Sequence, residues 1–114
     1  MAKRFISAYP QYDGAVYLEN SKNNVMKCVE EGLVEVLGPS GKDAIAYHLA
    51  SKATSLADSF DQPVKFVEAI RTIFRGGSNV LEERFAEHIS SVFQVDVTGM
   101  TFPEIVKRIR EPEK

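Results

Sequence analysis

Asp61-Gln62-Pro63-Val64-Lys65-Phe66-Val67-Glu68-Ala69-Ile70-Arg71-Thr72-Ile73-Phe74-Arg75-Gly76-Gly77 carries both ends of a helix and its buried face in one stretch. Aspartate satisfies free first-turn amides, and a proline in the first turn forfeits no hydrogen bond that the helix would have made. Phe66, Ile70, Ile73 and Phe74, joined by Val67, recur at three- and four-residue steps and form one apolar stripe. The Gly76-Gly77 pair stops it near Arg75. A helix with one apolar stripe must bury it against something, so the reading of this stretch makes the chain a helical bundle.

The same logic extends in both directions. Upstream, Val25, Val29, Leu33 and Val36 with Met26 and Leu37 predict a helix from about Asn23 to Leu37, ended by Gly38 and Pro39. Gly32 lies inside it, a position where glycine costs about 1 kcal/mol relative to alanine; either a close helix contact or a tolerated loss accounts for it. Ser40-Gly41-Lys42-Asp43 predicts a capping box for a second helix with Ile45 and Leu49 inward, fading near Ser51. The polar stretch 52–61 reads as a loop, with at most one turn at Leu56. Downstream, Asn79-Val80-Leu81-Glu82 predicts another capping box before a helix to about Phe93, carrying Leu81, Phe85, His88, Ile89 and Val92. Thr101-Phe102-Pro103-Glu104 repeats the signal for a short last helix with Ile105, Val106 and Ile109.

The expected fold is therefore all-α: a compact bundle of about five helices with short connections, preceded by a short arm or hairpin. Residues 1–20 form the expected arm and 21–114 the helical domain. The arm is aromatic, with Phe5, Tyr9, Tyr12 and Tyr17, and is broken by Pro10 and Asp13-Gly14. Two short strands, Phe5 to Tyr9 and Ala15 to Leu18, fit its pattern, although an isolated hairpin is marginal in water.

With 114 residues, 14 basic and 16 acidic side chains and 44% hydrophobic content, the chain has the composition of one ordinary folded domain. The near balance of charge gives no global field for phosphates, which weighs against a nucleic-acid partner; Glu104, Glu111 and Glu113 dilute the basic residues Lys107, Arg108 and Arg110 of the last helix. No apolar run approaches the roughly 20 residues that span a bilayer. Cys28 is the single cysteine, so neither an internal disulfide nor a thiolate metal cluster can form. A reducing cytoplasm is the expected compartment, and the basic start followed by a short apolar run does not read as a signal peptide.

Candidate chemistry is sparse. His48 and His88 are the only histidines, each at the edge of an apolar stripe, and neither has a convergent partner at metal-ligand spacing. No metal or cofactor is expected, and a structural role is the favoured reading of both. A pocket where Tyr47, His48 and His88 meet between helices is the alternative. Arg75-Gly76-Gly77-Ser78-Asn79 and Gly38-Pro39-Ser40-Gly41-Lys42 precede helix starts whose free amides can hold an anion, yet both read more simply as linkers.

Ala44-Ile45-Ala46-Tyr47-His48-Leu49 and the stretch from Asp61 to Phe74 resemble a small archaeal helical domain family labelled an output domain in ammonia-oxidising archaea. The likeness spans about residues 24–93, with Arg75-Gly76-Gly77 at the family's glycine turn. It implies a helical, intracellular archaeal protein linked to signalling or transcriptional output, in a family without a settled activity. The arm before Asn24 departs from it.

Together these features lead to two expectations. The first is a non-enzymatic interaction or regulatory module that self-associates, with Phe5, Tyr9, Tyr12 and Tyr17 as interface residues and a protein partner in prospect. The second is a small-ligand binder or enzyme using the pocket near Tyr47, His48 and His88.

Overall fold

The computed structural model describes residues 14–111. Five α-helices follow one another: α1 (Gly14–Ser51), α2 (Asp58–Asp61), α3 (Pro63–Phe74), α4 (Ser78–Phe93) and α5 (Phe102–Arg110). A 3-10 turn, Arg75–Gly77, joins α3 to α4. There is no strand among the described residues, and the all-α bundle holds. The arm residues Phe5, Tyr9 and Tyr12 lie outside the described residues, as does the first expected strand.

α1 is two helices joined at a bend. Gly38 has φ 80° and ψ 168°, a backbone region essentially closed to side-chain-bearing residues. Pro39 then restarts the helix, where the missing N–H costs nothing. Gly41 serves the same bend, since a Cβ there would stand 2.5 Å from Leu37 Cβ. The bend returns Ile45 and Leu49 to the core.

The bend at Gly38 agrees with the Gly38-Pro39 stop, but the expected box at Ser40 and Asp43 makes no side-chain hydrogen bond, and the start of the helix differs too. Ala15 to Leu18, expected as a strand, belongs to α1, which begins at Gly14. The turn signal Asp13-Gly14 thus precedes a helix, which tertiary packing favours over a marginal hairpin. Its first turns are held by Tyr17, whose hydroxyl donates to the Ile109 carbonyl at 3.1 Å.

Two other expectations are corrected. The stretch 52–61 is not all loop: α2 occupies its end and buries Ser59 and Phe60. Thr54 stabilises that short helix by donating its hydroxyl to Asp58 Oδ2 at 2.8 Å. The proposed caps at Asp61 and Asn79 are also absent, because their side chains have other partners or positions. Gln62 is the N-cap of α3 and Gly77 that of α4, neither with a side-chain bond. Asp61 instead pairs with Lys22 at 2.8 Å. Glu82 takes a two-pronged bond from Arg71, both contacts at 3.1 Å, and tethers α4 to α3. The box at Thr101 and Glu104 forms in full.

The core gathers Val25, Cys28, Val29 and Leu33 from α1, Phe66, Val67 and Ile70 from α3, Leu81, Phe85 and Ile89 from α4, and Phe102, Ile105, Val106 and Ile109 from α5. Phe66, Phe85 and Phe102 meet at its centre, with ring centroids 6.4, 6.0 and 5.7 Å apart. These separations suit tilted and edge-on aromatic contacts worth about 0.5–1.5 kcal/mol each beyond burial. Gly32 settles its own ambiguity, since a Cβ there would come within 2.8 Å of the Phe85 ring. The close contact is the reason for the glycine.

Gly32→Ala should therefore lower stability by about 1–3 kcal/mol through overpacking, despite alanine's advantage of about 1 kcal/mol in a helix. Gly76→Ala meets nothing within 4 Å and should leave stability within about 0.5 kcal/mol. Urea unfolding of both variants checks the pair; an unchanged midpoint for Gly32→Ala would show that α1 and α4 do not approach so closely.

Candidate functional site

The structure treats the three residues of the expected pocket in two ways. Tyr47 follows Ile45 by two residues, a rotation of about 200° around the helix, so it points away from the core that Ile45 and Leu49 enter. It is 75% exposed, the most open of the large apolar side chains among the described residues. Its ring meets His48 edge-on, with centroids 5.8 Å apart, and His48 is also exposed. Ser40, Ala44 and Ser51 lie along the same outward strip, with Asp43 and Ala50 flanking it, all exposed. The result is a low, small-residue face with one projecting tyrosine.

His88 has different neighbours. It lies on α4 against the first half of α1, with Nδ1 3.5 Å from Glu31 Oε1 and Nε2 3.0 Å from Glu35 Oε1. Arg84 joins the same seam, 4.0 Å from Glu35 and 3.2 Å from Glu87. The two carboxylates approach opposite ring nitrogens, so the imidazole sits between them rather than beside them. Among the described residues no three His, Cys, Asp or Glu side chains are grouped to hold a metal ion. The seam links α1 and α4.

Cys28 is buried in the core at 1% exposure. Burial, reinforced by the Glu31 carboxylate and opposed by Lys27, pushes its thiol from 9.0 up to about 11. A thiol held protonated in this way is a poor nucleophile. Tyr17, the one expected interface residue whose side chain is described, is partly buried, with its hydroxyl bound to α5.

A groove beside α4 is built from residues that share no sequence pattern. Along α4, Asn79, Glu83, Ala86, Glu87, Ser90 and Ser91 form one wall of a groove of about 600 Å³. Val97, Gly99 and Met100 from the α4–α5 connection, with Phe102 and Ile105 of α5, form the other wall and the floor. The connection is fastened at several points. Ser90 Oγ donates to the Val95 carbonyl at 2.7 Å, and Arg108 donates to the Asp96 carbonyl at 3.3 Å. The Thr98 hydroxyl and amide both donate to Asp96 Oδ1, holding that carboxyl below the usual range. No periodic pattern marks 94–100, so only the small residues Ala86, Ser90 and Gly99 hint at a concavity.

No helix of the described residues is long and apolar enough to cross a membrane. Comparison with protein families, curated proteins and solved structures finds no family model, no curated protein and no solved structure that matches this chain.

Native Cys28 should react with a thiol reagent at pH 8 only as fast as the protein opens. Because its pKa is higher folded than unfolded, its contribution to stability is complete below pH 9 and is lost as pH rises toward 11. Between pH 8 and pH 11 the native chain should lose about 1–3 kcal/mol more unfolding free energy than Cys28→Ala. Equal losses in the two proteins would show the thiol to be solvated.

Proposed function

We propose that this chain is a non-enzymatic interaction module that works inside the cell by self-association. The observation that carries the reading is Tyr47, exposed at the outward pole of a helix, with Ser40, Ala44 and Ser51 along its strip and His48 against its ring. Exposed tyrosines are favoured interface anchors because they bring large area at little conformational cost, and small neighbours let another backbone approach. The occupant that fits best is a second copy. Two such faces in antiparallel register bring Tyr47 against Tyr47, set Asp43 of each copy opposite the neutral Ser51 and pair Ala44 with Ala50.

Further support comes from where polar chemistry is spent. His88, Arg84, Glu31 and Glu35 are engaged with one another between α1 and α4, and Cys28 is held as a protonated core thiol. Phe5, Tyr9 and Tyr12 of the arm are the second set of residues we assign to association. A regulatory output role is the part of the reading that rests on the resemblance across residues 24–93.

Sedimentation equilibrium of the full chain over a wide concentration range tests this. A monomer–dimer equilibrium is expected, and Tyr47→Ala should weaken it about tenfold or more, since loss of a central anchor commonly costs upward of 1–2 kcal/mol. A chain that stays monomeric at millimolar concentration would remove the reading.

A further inference from the structure

The groove between α4 and the α4–α5 connection lies on a different surface from Tyr47 and has its own chemistry. Its α4 wall runs from Asn79 to Ser91, a rise of about 18 Å at 1.5 Å per residue, which is the length of about three helical turns. Its deeper parts are apolar and adaptable: Ala86, Val97 and Met100 are partly buried, while Phe102 and Ile105 are buried beneath them. Methionine at such a position accommodates partners of varied shape.

The rim is acidic. Glu82, Glu83 and Glu87 line the groove, and no lysine or arginine does. Both oxygens of Glu82 are taken by Arg71, whereas Glu87 meets Arg84 through Oε1 and is otherwise exposed, and Glu83 makes no ion pair among the described residues and is exposed. An elongated apolar trough with carboxylates on one side is complementary to a helix with an apolar stripe and cations beside it. A neutral or acidic segment would leave Glu83 uncompensated at the contact.

We infer that the α4–α5 groove is a docking site for a short amphipathic basic helix of a partner protein. The apolar stripe of that helix lies over Met100, Val97 and Ala86, and its lysines or arginines face Glu83 and Glu87. Self-association through Tyr47 is not needed for this, and both surfaces can be filled together.

The test is a titration of the full-length, nitrogen-15-labelled chain, followed by amide shifts. The probe is a short synthetic peptide with leucine at helical spacing and lysine on its flanks. Saturable shifts are expected at Ala86, Ser90, Gly99 and Met100, and the Glu83→Lys/Glu87→Lys variant should bind about tenfold or more weakly. The milder Glu83→Gln/Glu87→Gln pair should fall between, and an unperturbed spectrum of each free variant verifies its fold. Several outcomes would overturn the inference: equal binding of a peptide with glutamate in place of lysine, absence of shifts in the groove, or affinity indifferent to the variants. It would also fail if deleting residues 1–13 moved the same resonances, identifying the chain's own start as the occupant. Movement with protein concentration alone would identify a second copy, with the same result.

Discussion

The contact on which this fold depends is the meeting of Phe66, Phe85 and Phe102. Each ring comes from a different helix, so three helices share one centre, and α1 reaches it only because Gly32 has no side chain. Were α1 held farther out, the stripe of Val25, Cys28, Val29 and Leu33 would lose its partner surface. The seam of His88, Glu31, Glu35 and Arg84 runs beside that close approach and adds polar contacts between α1 and α4.

Helical periodicity made the bundle legible, and the places where it misled share a cause. The apolar stripes of α3, α4 and α5 appear in the linear order of the chain because each helix buries one face. Val36 continues the period of α1, yet it is exposed beside the Gly38 bend, while Cys28 takes a place in the stripe. Spacing alone cannot tell where a helix leaves the core. Caps failed at Asp61 and Asn79 for a related reason: a side chain suited to a cap has other uses, and Asp61 is committed to Lys22. Left-handed positions followed the same rule. Arg75 and Ala53 adopt positive φ at helix ends where a glycine is the usual occupant, and the Thr54 amide bonding back to the Leu49 carbonyl holds the second of them.

The surface was harder to read than the interior. The expected pocket asked Tyr47, His48 and His88 to meet between helices, but only Tyr47 and His48 touch, and they do so on an exposed face. Tyr47 points outward while His88 is matched to glutamates far away in sequence. The groove beside α4 was invisible because its floor comes from residues 97–105, whose positions depend on how the connection folds back. Asp96, Thr98 and Arg108 make that fold, through contacts that carry no periodic signature.

The described ends of the chain meet at Tyr17 and Ile109, across 92 residues of sequence, and this gives the molecule a mechanical polarity. Tension applied at these two ends loads that hydrogen bond and the last turn of α5 first, and Phe102, at the other end of α5, last. α5 is a short rod anchored by one layer of Phe102, Ile105, Val106 and Ile109, so it is the piece that peels away first. Its departure removes one side of the trough along α4 and takes Phe102 out of the three-ring centre, so a pull on the ends of the chain unmakes that surface and the core together.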